Sequence, residues 1–549
     1  MMRADTWRLA AAAALATASL MVGLARTDLW PPDEGRVAEI SREMLADGSW
    51  VVPRLNGRPF LEEPPAFYWL QAATYRLGGG PSAGTARVPA ALGAIAGVLA
   101  TAVLARAVGA DGLLAAAILA TAPEYWWMAR SATPDTAETA ATTLALTLFF
   151  LAWRSERRRL LLGAGVAAVV AFGFKSFLGI GLGALVAVTF IARAGWGRLR
   201  RLDLGVAAAM VSAAVLAWLV AITREVGGGA ATFFVVTNHF GRLAGAETAG
   251  HLRPFYYYFA NVALGMFPWA LVLPLGVAAA WRHAARPERL FPLVWAGIML
   301  LALTLSASKR ANYLLPAYPA FAVLVAQWWH EPPSERDVLP GALTIGVAAI
   351  AALVVLGVLA VDPTAVMTLA ETGKRDTAAW ATLVQTALTG APLSAWLAAG
   401  GTALVGLAAY GAARSGKLRR AAAGLVVCLT SVHLVVVLRV LPGFNRYCTV
   451  RPWGQRLARL ADRGVDVVLF RFDDTGGGLN TLLFYAGRNF TEMSNVRDVA
   501  AALRAPHTCA ILRLQDYPAL APLVSGLRVA HGKAGVMPIV LVLGEKVAL

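Results

Sequence analysis

Charge is scarce in this chain of 549 residues: only 15% are Asp, Glu, Lys or Arg. Soluble proteins carry about 25%, so this chain cannot clothe a water-soluble particle of its size. Lysine is rarer still, with six residues among 49 bases. Three cysteines exclude a disulfide scaffold. Cys428 stands in an apolar run, while Cys448 and Cys509 share the C-terminal segment and could pair in an oxidising compartment. Acids number 32 against 49 bases, a formal charge of +17. The bases fall in short bursts between apolar runs, so they read as topology signals, and no nucleic-acid partner is expected.

What is abundant is apolar sequence, at 58% of the chain and a mean hydropathy of +0.60. Segments 338–361 and 259–281 carry no charge over 24 and 23 residues, where crossing hydrocarbon needs about 20. Thirteen spans are expected, near 9–25, 83–105, 112–128, 136–153, 160–174, 177–192, 204–222, 259–281, 291–307, 313–329, 339–361, 393–413 and 420–441. The first reads as a retained membrane helix, with a cleaved signal peptide as the alternative. With thirteen spans the bursts Arg154/Arg157/Arg158/Arg159, Arg193/Arg198/Arg200/Arg201, Arg282/Arg286/Arg289 and Arg414/Lys417/Arg419/Arg420 share one side with Arg3 and Arg8. By the positive-inside rule that side, and the N-terminus, are cytoplasmic. Loops 26–82, 223–258 and 362–392 and the tail 442–549 then lie outside. The expected organisation is an all-α membrane domain over 1–441 and a small α/β domain over 442–549, where strand-like runs alternate with helical ones. The Asp473-Asp474-Thr475-Gly476-Gly477-Gly478 run lacks the Gly-Lys-Ser/Thr of a phosphate loop and reads as a surface turn.

Loop 26–82 runs against the charge of the chain, with eight acids against six arginines. Val37, Ile40 and Met44 recur at helical spacing and Gly48 suits the C′ position, so 34–47 reads as an amphipathic juxtamembrane helix. A second begins at Pro64-Pro65 and runs to Leu77. Asp33 precedes the first helix and reads as an N-cap or as a reactive carboxylate. Asp135 reads as a reactive carboxylate or as an acid that favours the helix dipole, with Thr133 able to cap and Pro134 suited to the first helical position. Two acids at outer helix ends are paired candidates for glycosyl chemistry. The isolated outer bases are Arg36, Lys175, Arg242, Arg253, Lys309 and Arg310. Lys175 either snorkels to the interface or forms one contact of a phosphate clamp. His239 and His251 share loop 223–258, and a histidine with Glu62 could hold a metal, although no tight ligand spacing marks a site.

The run Pro32-Asp33-Glu34-Gly35-Arg36, continued through Gly48-Ser49-Trp50 and Leu55-Asn56-Gly57 to Glu62-Glu63-Pro64-Pro65, resembles the first outer loop of the aminoarabinose transferases that modify lipid A. These stand within a wider family of polyprenyl-phosphate-sugar-dependent glycosyltransferases. His251-Leu252-Arg253-Pro254, Ser308-Lys309-Arg310-Ala311-Asn312-Tyr313 and Leu483-Phe484-Tyr485-Ala486-Gly487-Arg488 continue the match along the chain. The resemblance implies a GT-C fold of thirteen membrane helices with a periplasmic C-terminal domain, in the bacterial inner membrane. It implies an undecaprenyl-phosphate-linked sugar as donor, lipid A as acceptor, an inverting transfer and a monomer. It makes Asp33 the leading catalytic carboxylate and Asp135 its partner, and Arg36, Lys175, Lys309, Tyr313 and Arg242 or Arg253 candidates for the donor phosphate. Glu62 and His251 are candidates for a divalent metal or for substrate, a divalent metal being the one candidate cofactor. The family usually reads Glu-Lys-Pro where this chain has Glu62-Glu63-Pro64, so an anion replaces a cation. Either Arg58 or another base supplies that charge, or the donor head group differs. A protein or another envelope glycan as acceptor is the nearest alternative, and a lipid or solute carrier a distant one.

Overall fold

The computed structural model describes residues 2–175, 177–195, 204–241, 252–330, 341, 343–348, 393–471, 480–535 and 537–547. Its contacts divide the chain into two compact units: Met1–Gly23, Leu61–Phe67 and Pro89–Val440, and Leu24–Phe60, Tyr68–Val88 and Leu441–Leu549. This division groups much of loop 26–82 with the tail.

The first unit is helical. Among the described residues six helices are long and apolar enough to cross a membrane: Ala83–Ala107, Asp135–Ser155, Phe177–Ala194, Leu204–Val226, Pro287–Leu305 and Leu418–Gly443. Three other expected spans form the continuous helices Met2–Ser19, Arg158–Lys175 and Leu393–Arg414, while others are present as shorter pieces, and proline is the physical reason for several breaks. The segment 112–128 divides into Gly112–Thr121 and Pro123–Met128. The segment 259–281 divides into Tyr257–Gly265, a 3-10 turn Trp269–Leu271 after Pro268, and Leu273–Arg282. In 313–329 a 3-10 turn Ala311–Ala317, containing Pro316, precedes helix Tyr318–His330. The expected span 339–361 falls almost wholly outside the described residues, as do loop 362–392 and the turn at Asp473.

Helices Asp135–Ser155 and Arg158–Lys175 pack along each other. Glu156, at φ 55°, turns the chain between them. Their lengths of 21 and 18 residues are nearly matched, so the start of one and the end of the other meet at the same end of the hairpin. The Arg154–Arg159 burst occupies the opposite end. Near that opposite end Phe149, Phe150, Trp153, Phe190 and Phe291 interlock as stacked, edge-on and tilted rings. Close helix approach elsewhere depends on small residues: a Cβ on Gly93 would stand 2.7 Å from the Ala137 backbone.

In the second unit a five-stranded sheet runs in the order Thr491–Met493, Asp466–Phe470, Thr508–Arg513, Met537–Leu543 and Arg528–Ala534. The first three strands are parallel and the last two join antiparallel. Alternation at period two sends Val467, Leu469, Cys509, Ile511 and Leu541 to one core and Val468, Phe470, Ala510, Leu512 and Val542 to the other. Both faces are therefore covered, which is why these strands read as continuous apolar runs. Cys448 and Cys509 do not pair: all three cysteines are free, and Cys509 is committed to the sheet core.

The amphipathic helix of loop 26–82 spans Asp33–Asp47 and buries Val37, Ile40 and Met44. Gly48 closes it at φ 75°, its N–H bonding the Met44 carbonyl. The second spans Ala66–Leu77. Between them Asn56 (φ 52°) and Gly57 (φ 77°) turn a short hairpin pairing Arg54–Leu55 with Arg58–Pro59.

Candidate functional site

The helical hairpin of the first unit explains how residues 40 positions apart in sequence meet. Asp135 opens one helix and Lys175 closes the other, and the two form a buried ion pair. Asp135 also accepts a hydrogen bond from Asn312 Nδ2 at 2.8 Å. The Lys175 ammonium lies 5.3 Å from the centroid of the Tyr313 ring, close enough for a cation–π contact. Asn312 and Tyr313 come from the 3-10 turn Ala311–Ala317, where Pro316 keeps the segment out of an α-helix. Lys309, 4% exposed, donates to the Ser306 carbonyl just before that turn. Ser308, in the same stretch, bridges Leu252.

Two expectations are corrected here. Asp135 is the first helical residue and Thr133 does not cap, since its buried hydroxyl has no hydrogen-bond partner among the described residues. Lys175 does not snorkel, because its ammonium is neutralised inside the protein by Asp135. A charge pair in apolar surroundings persists only when both members are matched.

The electrostatic neighbours are acidic. Glu138, 1% exposed, sits one helical turn after Asp135 and within electrostatic reach of Lys175. Glu63 reaches both Lys175 and Glu138, and Glu124 reaches Asp135. Glu62 contributes its backbone carbonyl, which accepts from Asn238 Nδ2 at 2.9 Å. Arg253 is exposed and lies over the Tyr257 ring. Arg242 and His251 lie outside the described residues. Among the described residues no three His, Cys, Asp or Glu side chains gather to hold a metal ion.

Asp33, Arg36 and Arg58 belong to the second unit. Asp33 is the first residue of its helix, with Pro32 at the N-cap position. Its carboxylate pairs with Arg36 at 2.9 Å, one turn on. The Arg36 guanidinium stands over the Phe60 ring, and Arg58 lies 3.6 Å from Glu492. The acids around them are structural. Glu34 takes Arg87 through both oxygens at 2.7 and 2.8 Å, while Arg87 also donates to the carbonyls of Leu24, Thr27 and Asp28. Glu39 holds Arg42, which reaches the Gly487 carbonyl. Burial pushes the Glu39 carboxyl up to about 7 against the pull of Arg42. Glu43 receives the hairpin N–H groups of Asn56 and Gly57. Tyr485, from the tail motif, accepts from the Leu29 N–H at 2.6 Å.

Of the expected site residues, the fold brings together Asp135, Lys175 and Tyr313 in one unit and Asp33 with Arg36 in the other. Asn312 and Glu138 were not singled out from sequence. Glu138 carried a signal, as an acid inside an expected span three residues after another acid. Asn312 carried none beyond its motif.

Several known proteins are similar to this chain. Residues 62–220 match the dolichyl-phosphate-mannose-protein mannosyltransferase family. An undecaprenyl phosphate-alpha-4-amino-4-deoxy-L-arabinose arabinosyl transferase from Sodalis glossinidius is 33% identical over 316 residues, 55% of each chain. A protein of the same description from Aeromonas salmonicida is 30% identical over 355 residues, 62% of this chain and 64% of its own length. The match thus spans little more than half the length of these curated relatives. In fold, the crystal structure of ArnT from Cupriavidus metallidurans bound to undecaprenyl phosphate superposes with a TM-score of 0.72 at 22% identity, covering 96% of both chains. Its apo form gives the same TM-score over 98% of both.

Proposed function

From a chain that resembles the aminoarabinose transferases in sequence and ArnT in fold, we propose an integral-membrane glycosyltransferase that moves a sugar from undecaprenyl phosphate to lipid A. On this reading the sugar is 4-amino-4-deoxy-L-arabinose, transferred with inversion at the periplasmic face of the bacterial inner membrane. The chain crosses the membrane thirteen times as a monomer, with a cytoplasmic N-terminus, a catalytic domain over 1–441 and a periplasmic α/β domain over 442–549.

The chemistry asks little covalent work of the protein. The lipid phosphate leaves as an anion and needs no proton if cations neutralise it. Lys175 is suited to this: Asp135, itself bonded by Asn312, holds it in place, and a phosphate competes with Asp135 for its ammonium. Lys309 and Tyr313 border the same turn, and Arg36 with Arg58 or Arg253 are further phosphate candidates. Asp33, paired with Arg36, accepts the proton of a hydroxyl acceptor or orients an acceptor phosphate. Glu62 and His251 remain the candidate metal or substrate ligands, and no step depends on a metal.

The observation that carries this reading is the buried Asp135–Lys175 pair, at the hairpin end opposite the arginine burst. In a reconstituted assay Asp33→Asn should lower transfer by about 10²–10⁴-fold, the range of a positioned general base, with the fold retained. Full activity in that variant overturns the role. A second reading keeps the reaction but changes the donor sugar or the acceptor, and Glu63 near Lys175 favours it. Mass spectrometry of lipid A from cells with and without the gene separates the two.

A further inference from the structure

Helix Arg451–Asp462 begins at residue 451, where the membrane-spanning stretch Leu418–Gly443 has ended at 443. Its arginines Arg456 and Arg459, with Arg463 just beyond it, border a shallow groove of about 480 Å³ together with Pro452, Trp453 and Leu460 of the same helix. Positions 456, 459 and 463 recur at helical spacing, so the three guanidinium groups share one face. Arg456 is half-buried and stacks over the Trp453 ring at 5.2 Å, whereas Arg459 and Arg463 are exposed. Among the described residues none of the three is in an ion pair, and the neighbouring Asp462 is engaged by Arg488. Among the described residues, none of the proposed transfer chemistry lines this groove.

Three like charges on one face repel one another unless an anion joins them. Guanidinium forks match phosphate oxygens two at a time, and an indole beside them suits a ligand that is charged at one end and apolar at the other. We propose that this groove binds the phosphate of an anionic membrane lipid, with Arg456, Arg459 and Arg463 on the phosphate and Trp453 against the apolar part next to it. The short chain distance from a membrane span favours a lipid over a soluble anion. The site stands independently of the transfer reaction.

The test uses the purified full chain in neutral detergent, titrated with phosphatidylglycerol or phosphatidylcholine and read by native mass spectrometry. Phosphatidylglycerol should be retained and phosphatidylcholine should not. Each arginine removed should weaken retention about tenfold, as for a charge-assisted hydrogen bond. R456Q/R459Q should therefore lose it, while R497Q/R504Q, which removes two exposed arginines from the same tail, should keep it. R456K/R459K, which preserves charge and fold but not the forks, should fall between. Equal loss in both glutamine doubles, equal retention of the two lipids, or full displacement by inorganic phosphate at millimolar concentration each overturns the proposal.

Discussion

Single residues in this protein are governed by the cost of burying charge. Asp135 and Lys175 persist in an apolar interior because each neutralises the other. Glu39 shows the same cost in a titratable form. Its carboxyl is pushed up to about 7 by burial, against about 4.3 in an unfolded chain. Between those values the folded protein holds a proton that the unfolded chain has lost. The stabilisation is complete below the unfolded value and disappears as pH rises through about 7. The melting temperature of the purified protein should therefore fall between pH 5 and pH 8, and Glu39→Gln should flatten that slope. An undiminished slope in the variant would assign the dependence to other groups. The acidity and the helical position of residue 39 were readable from sequence; its burial against Arg42 was not, because residues 487 and 489 of the tail help to hold that arginine.

At the scale of elements, periodicity and punctuation were readable and breaks inside apolar runs were not. The helix Asp33–Asp47 and its Gly48 stop follow from spacing and from glycine's tolerance of φ 75°. Asn56-Gly57, a strong hairpin signal, stands where a hairpin forms. By contrast, the 3-10 turn that delivers Asn312 and Tyr313 lies in a run apolar enough to pass for the start of a span. Close packing of helices is equally silent in composition. Gly35 lets helix Asp33–Asp47 approach helix Thr481–Ala486 so closely that a Cβ would stand 1.9 Å from Thr481 Oγ1. Gly35→Ala should cost about 1–3 kcal/mol by overpacking, and Thr481→Gly in the same chain should restore part of it. Thermal unfolding of the two variants checks this, and a neutral Gly35→Ala would mean that the contact yields freely.

Across the whole molecule, charge is sorted rather than scattered. The arginine burst at Arg154–Arg159 and the Asp135–Lys175 pair occupy opposite ends of one helical hairpin. The proposed topology places the first end in the cytoplasm and the second outside. With Cys448 and Cys509 replaced by serine, a thiol introduced at Arg158 should stay protected from a membrane-impermeant reagent in spheroplasts, and one at Arg497 should react. The reverse pattern would invert the topology.

Sequence alone establishes a multi-pass membrane protein, the family resemblance and the amphipathic first loop, because these rest on composition, local periodicity and short motifs. It could not bring Asp135 to Lys175 or set Asn312 and Tyr313 around them, since those meetings depend on how far a hairpin runs before it turns and where a proline halts a helix. The shared face of Arg456, Arg459 and Arg463 follows from helical spacing along one helix, as do the positions of Pro452, Trp453 and Leu460 beside them; tertiary packing decides only that none of the three arginines is taken by an ion pair among the described residues. The chain's scarce charges are a matter of composition; which of them become partners is decided by tertiary packing, where an unmatched charge is too costly to bury.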